Sequence, residues 1–346
     1  MESVLITALQ QGLIYAFMAL GVLLTFRLLG FPDLTVEGTF PLGAAVTARA
    51  VVEGIDPLLA VLLGALSGGA AGAATGLMHT RLKVNNILAG ILTASAIYTV
   101  MLRTMGRPNT PLLNHDNVYG QILGWFGLIE SNITIILVLL LITLAARALL
   151  GWFLGTDMGL ALRATGSNER MIRSLGVNTD NTKLLGLVIA NGLVGLSGAL
   201  ACQFQGFADV GMGIGVLVAA IASVILGETI FGGHRLGRLL TGVILGSVLY
   251  RGLLALGLRL GLPAEDFKLM TAALVLLVLA MPNMGISRRL AAVRPSTGIG
   301  SIKRLWSPFN PNRTGKGSGL VGNPSVPGRT NGCIGTVSQT GRGDDK

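Results

Sequence analysis

Ile133-Thr-Ile-Ile-Leu-Val-Leu-Leu-Leu-Ile-Thr-Leu-Ala-Ala-Arg-Ala-Leu-Leu-Gly-Trp-Phe-Leu154 leads, after Gly155, into Thr156-Asp-Met-Gly-Leu-Ala-Leu-Arg-Ala-Thr-Gly-Ser-Asn-Glu-Arg-Met-Ile-Arg-Ser-Leu-Gly-Val-Asn-Thr-Asp180. The first stretch is apolar except for Arg147 and long enough to cross a bilayer as a helix, which takes about 20 residues. The second is charged, helix-forming and followed by another apolar run. A polar element of this size inside a membrane protein needs an aqueous partner. Read together, the two stretches set the fold class and point toward the function.

Runs of the first kind recur on both sides. They predict spans over residues 4–26, 34–52, 58–78, 86–103, 133–154, 184–203, 211–230, 239–258 and 269–284. The second contains Glu37 and Arg49, and the eighth contains Arg251. Residues 118–129 are too short to span and read as an interfacial helix. The expected class is all-α, a polytopic membrane protein of about 8–10 transmembrane helices. Composition agrees: 51% of residues are hydrophobic, 12% are charged and 50 of 346 are Gly, small residues that let helices approach closely. The N-terminus lacks a basic segment and its apolar run is too long for a signal peptide, so it reads as a retained first span.

Basic residues concentrate in three loops: Arg81 and Lys83; Arg163, Arg170, Arg173 and Lys183; His234, Arg235 and Arg238. Nine spans with the N-terminus outside place all three in the cytoplasm. A re-entrant segment near residues 31–38 would turn the N-terminus inward. The permease domain is expected over residues 1–286, with the polar cassette at 156–180. Residues 287–346 form a basic tail of Gly, Ser, Pro and Asn, expected to be cytoplasmic and disordered. Residues 285–346 hold 10 Lys/Arg against 2 Asp/Glu, so the net charge of +10 belongs mainly to the tail. Beside membrane spans this reads as a topology signal and not as a nucleic-acid site.

Gly30-Phe-Pro-Asp33-Leu-Thr-Val-Glu-Gly38 resembles Gly206-Phe-Ala-Asp209-Val-Gly-Met-Gly-Ile214, and Gly90-Ile-Leu-Thr-Ala-Ser95-Ala-Ile-Tyr98 resembles Gly242-Val-Ile-Leu-Gly-Ser247-Val-Leu-Tyr250. An internal repeat with broken helices explains both matches; chance similarity between Gly/Leu-rich helices is the competing explanation. Asp33 also reads as a helix cap, whereas Glu37, one turn on, is an intramembrane carboxylate.

In the cassette, Ser167 or Asn168 can cap a short helix over 169–175, with Met171, Ile172 and Leu175 as its apolar stripe, Arg170 and Arg173 beside it, and Gly176 as its stop. Such a helix lies on the membrane or docks in a groove of a soluble partner.

The pattern Leu160-Ala-Leu-Arg-Ala-Thr-Gly-Ser-Asn-Glu169, Leu175-Gly-Val-Asn-Thr-Asp180, Lys183-Leu-Leu-Gly-Leu and Asn191-Gly-Leu-Val-Gly-Leu-Ser-Gly-Ala199 resembles permeases of the branched-chain amino acid and ribose-type ABC importers. Residues 30–40 and 79–90 resemble the branch associated with aromatic amino acid uptake. The resemblance covers residues 5–285. It implies a plasma-membrane subunit of a prokaryote that forms a path for a small polar solute such as an amino acid. It also implies a separate ABC ATPase that binds the ATP, an extracytoplasmic substrate-binding protein and a second permease copy. The ATPase-coupling residues are then Arg163, Gly166, Asn168, Glu169, Arg170, Met171, Leu175 and Gly176.

The residues fit that division of labour. No Walker A motif occurs; Thr314-Gly-Lys316-Gly-Ser lacks the upstream Gly and the Ser/Thr directly after Lys. There is no Gly-x-Ser-x-Gly elbow, the two cysteines Cys202 and Cys333 are far apart, and His79, His115 and His234 fall in separate loops, so neither catalysis nor a metal centre is expected. Translocation-path candidates are Asp33, Thr35, Glu37, Asn85, Asn86, Thr93, Asp209 and Arg251. Helix capping competes for Asn85 and Asn86, close packing for Thr93 and snorkelling for Arg251. An ion-coupled secondary transporter using Asp33, Glu37, Asp209 and Glu228 is the alternative class, although it has no use for the cassette.

Overall fold

Apolar runs become helices here because the bilayer offers backbone N–H and C=O groups no other partner. A computed structural model describes residues 2–113, 115–125, 131–232, 235–259, 269, 271–273 and 275–276. Its helices are α1 (Glu2–Val22), α2 (Val36–Val52), α3 (Pro57–Thr80), α4 (Asn86–Met105), α5 (Val118–Trp125), α6 (Asn132–Phe153), α7 (Asp157–Ser167), α8 (Glu169–Ser174), α9 (Thr179–Gln205), α10 (Val216–Phe231) and α11 (Leu236–Arg259). All described residues belong to one unit, residues 1–294. The ninth predicted span, apart from a few residues, and the tail lie outside the described residues.

Seven helices among the described residues are long and apolar enough to cross a membrane. The predicted span at 34–52 is a helix of 17 residues, short for a crossing and almost wholly enclosed by other helices. Of the segment 118–129, residues 118–125 form the short helix α5, with Val118, Tyr119 and Leu123 buried, and 126–129 lie outside the described residues. Two features were not anticipated: α7, a second cassette helix, and an antiparallel ribbon of β1 (Asn109–Pro111) with β2 (Phe207–Asp209). Strands of three residues are too short for alternation to register in a sequence.

Lipid tails are as apolar as leucine, so helix association rests on close packing rather than on a hydrophobic drive. α1, α2 and α9 fill the centre, where Phe17, Phe40, Leu20 and Val194 are inaccessible. The densest seam joins α3 to α9. Gly64, Gly68, Gly72 and Gly76 repeat every fourth residue on one face of α3, and Leu187, Asn191, Gly195 and Ala199 do so on α9. A Cβ on Gly195 would stand 2.9 Å from the Gly68 Cα, a distance that side chains do not tolerate.

Two faces are defined by cross-contacts. On the first, Lys83 pairs with Asp180, Arg27 with Glu228, and Arg147 donates to the Gly237 carbonyl. The 81–85 loop, α7, α8 and the start of α11 therefore share a face. On the opposite face lie the ribbon, the Gln10 donation to the Asn132 carbonyl and the Gln203 donation to the Pro57 carbonyl. α1 runs from the ribbon face to the cassette face, so the N-terminal end of α1 lies on the face opposite the cassette. This agrees with the orientation expected from the basic loops; His234 lies outside the described residues.

The first repeat match has a structural counterpart. α1 closes in a π-helical turn, Leu23–Leu28, before a broken segment leading into short α2; α9 likewise precedes a broken segment leading into short α10. Gly30 and Gly206 take φ of 66° and 76°, which only glycine adopts readily. Asp33 Oδ1 then accepts from the Thr35 N–H at 2.9 Å, and Asp209 Oδ1 from the Gly211 N–H at 2.7 Å. α1 and α9 run in opposite directions, so these halves are inverted. The second match fails this test: α4 and α11 both leave the cassette face, and inverted halves cannot pair helices of the same direction. That similarity reflects shared Gly/small-residue packing.

Candidate functional site

The cassette is built from three caps. Asn168 Oδ1 accepts the Met171 N–H at 3.1 Å and separates α7 from α8; Asn178 caps α9; Thr156 starts α7. Gly176, at φ 86°, stops α8 as predicted. Glu169 then bonds Lys183 at 2.8 Å, accepts from the Thr179 hydroxyl at 3.1 Å and pairs with Arg173 at 3.2 Å. Arg173 also reaches Asp180 at 2.8 Å, and Lys83 joins the same carboxylate. The Lys183 ammonium holds the Glu169 carboxyl below its ordinary range.

The predicted coupling residues therefore divide. Gly166 packs against the Leu28 carbonyl at the end of the π turn, where any side chain would collide. Gly166 and Glu169 hold the cassette onto the membrane helices, while Asn168 caps α8 within it. Arg163, Arg170, Met171, Leu175 and Gly176 face outward, Met171 at 58% and Leu175 at 67% exposure. The stripe itself is split, since Ile172 is buried. Lys83, Arg173, Asp180 and Lys183 were not recognised as one network. Only Glu169/Arg173, at i,i+4 spacing, could have been read from the sequence.

The path candidates do not form one site. Asp33 and Thr35 lie in a sealed polar network with three residues that the sequence did not single out. Asn191 Nδ2 donates to Asp33 Oδ2 at 2.7 Å, Thr39 donates to Asn191 Oδ1 at 2.9 Å, and the Thr35 and Thr75 hydroxyls meet at 2.7 Å. All five are inaccessible, so the network ties α2 to α3 and α9. Asn85 caps α4 at the cassette face, with Asn86 beside it in the first turn, and Thr93 is buried and bonds the Ala89 carbonyl. Asp209 caps a 3-10 turn beside the ribbon and bonds Asn109 at 3.3 Å.

Glu37 and Arg251 differ from these. Neither has an ion pair among the described residues. Glu37 lies where the two broken segments meet. Pro41 has no N–H, which leaves the Glu37 carbonyl without its helical donor, and Gly213 packs directly onto that carbonyl. Gly213 is the residue equivalent to Glu37 in the repeat match. The Arg251 guanidinium carbon sits over the Tyr15 ring, 3.4 Å from its centroid, and Tyr15 packs on Phe40 at 5.3 Å. On the ribbon face, His115, Asp116, Gln203 and Leu113 line a cleft, and Gln121 holds the Asp56 carboxylate, depressing its pKa.

Comparison with known proteins accords with this arrangement. Residues 4–279 match the family model described as "Branched-chain amino acid transport system / permease component". The chain is 39% identical over 283 residues to a tyrosine transport system permease protein of Clostridioides difficile, covering 82% of this chain and 92% of that one. It is 29% identical to the ribose import permease of Escherichia coli, covering 79% and 83%, and 30% identical to that of Bacillus subtilis, covering 79% and 82%. The chain thus belongs to the permease-component family of branched-chain amino acid transport systems and is a multi-pass inner-membrane permease subunit of an ABC importer.

Proposed function

We propose that this permease moves an amino acid, with an aromatic side chain as the favoured class, and that a separate ATPase docked on the cassette drives it. The carrying observation is the cassette itself. Glu169, Arg173, Asp180 and Lys183 are consumed in an internal network, whereas Arg163 and Arg170 face outward and Met171 and Leu175 stay exposed on the face that carries the basic loops. An apolar pair rimmed by arginines and braced from behind is the chemistry of a helix that docks in a groove. Gly166 of α7, packed against Leu28, gives movement of the cassette a direct route to the π turn that follows α1. The substrate class is supported by the named tyrosine permease, and the cleft on the opposite face suits a binding protein delivering the solute. A second copy would complete the path beside α4, whose exposed side chains Ile91, Leu92 and Tyr98 are suited to a helix partner.

The test is reconstitution in proteoliposomes with the ATPase and the binding protein. Uptake of tyrosine or phenylalanine should require all three components and ATP. Uptake by the permease alone, driven by a proton or sodium gradient, would overturn the assignment. Met171→Ser with Leu175→Ser should abolish ATPase co-purification while membrane insertion stays normal; wild-type co-purification would remove the cassette from the interface.

A further inference from the structure

Arg251 stands fifteen residues into α11, inside the apolar span Leu236–Gly257. An arginine there reaches for the bilayer surface, pairs with an acid or serves a ligand. The first option is closed by geometry: the guanidinium sits over the ring of Tyr15 of α1, a buried residue, and so points into the protein. The second is unmet among the described residues, where no carboxylate pairs with it. Its Nε is moreover buried with no hydrogen-bond partner. A ring face attracts a cation but accepts little directed hydrogen bonding, so the donor remains unsatisfied. The site also joins the two inverted halves, because α11 follows the second broken segment while Tyr15 and its neighbour Phe40 belong to α1 and α2.

From this geometry we infer that Arg251 binds the carboxylate of the passing solute, with Tyr15 holding the guanidinium in place. The ligand class is a small carboxylate-bearing solute. This rests on the amino acid reading above. Guanidinium geometry suits a carboxylate, which accepts from two of its N–H groups at once, and a neutral sugar offers no such acceptor.

The test is ATP-driven uptake of L-phenylalanine by the complete complex in phosphatidylcholine vesicles, comparing wild type with Arg251→Gln and Arg251→Lys. The glutamine variant should lose at least tenfold in uptake, and the lysine variant should recover part of that loss. Binding-protein affinity for the solute and assembly of the complex should be unchanged. In saturation-transfer NMR on the complex without its binding protein, L-phenylalanine should receive signal from wild type several-fold more strongly than from Arg251→Gln, while L-phenylalaninamide receives little from either. Equal uptake by wild type and Arg251→Gln, or equal signal for acid and amide, would overturn the inference while leaving the amino acid reading intact. A wild-type complex that imports ribose and no amino acid would overturn both. A defect seen only in vesicles containing phosphatidylglycerol would make Arg251 a lipid contact and also overturn the inference.

Discussion

Glu169 illustrates how one side chain is assigned by its surroundings. In sequence it looks like a partner-facing charge on a short helix; in the fold it faces inward to Lys183 and Arg173. Each half-exposed pair contributes about 0.2–1 kcal/mol, so Glu169→Gln should leave the protein folded and mainly loosen the cassette. Amides 168–183 should exchange faster, and ATP-driven uptake should fall several-fold at unchanged protein level. The pH dependence has a definite sign. A carboxyl depressed on folding contributes its stabilisation fully above its unfolded value of 4.5 and loses it as pH falls through the lower folded value. Protection of the cassette measured by hydrogen exchange should therefore hold down to about pH 5 and drop below about pH 4. The Gln variant should show a smaller drop over that window, because it lacks the Glu169 carboxyl.

At the scale of elements, the α3–α9 seam decides how closely the helices of the permease approach. Gly68 and Gly69 are neighbours in sequence but not in consequence. A Cβ on Gly68 would meet the Asn191 carbonyl and the Gly195 Cα, whereas one on Gly69 would meet only Val188 at an ordinary 3.6 Å. Gly68→Ala should destabilise by about 1–3 kcal/mol, as overpacking does, while Gly69→Ala should be neutral or better. Thermal unfolding in detergent distinguishes them. The glycine spacing is visible in the sequence, but its partner is not, because nothing local says which helix fills the groove. The polar network was half legible for the same reason. Asp33 and Thr35 stand out in a broken segment, while Thr39, Thr75 and Asn191 look like ordinary small residues within apolar runs until α2, α3 and α9 bring them together.

At the scale of the molecule, the inverted halves meet at Glu37 and Gly213, and the cassette sits on one face with the ribbon on the other. In a chain without native cysteines, Arg163→Cys and Leu113→Cys should react with impermeant maleimide from opposite sides of sealed vesicles. Labelling from the same side would contradict the fold. The membrane-spanning class and the place of the cassette between two apolar helices followed from hydropathy and the placement of charge, because the bilayer imposes helix length residue by residue. The repeat could be suspected but not separated from coincidence, since a nine-residue likeness carries no direction; the opposed courses of α1 and α9 supply it. Which side chains act together was decided only by tertiary packing. Residues as distant as Tyr15 and Arg251, or Asp33 and Asn191, become neighbours through helix contacts that local periodicity does not encode.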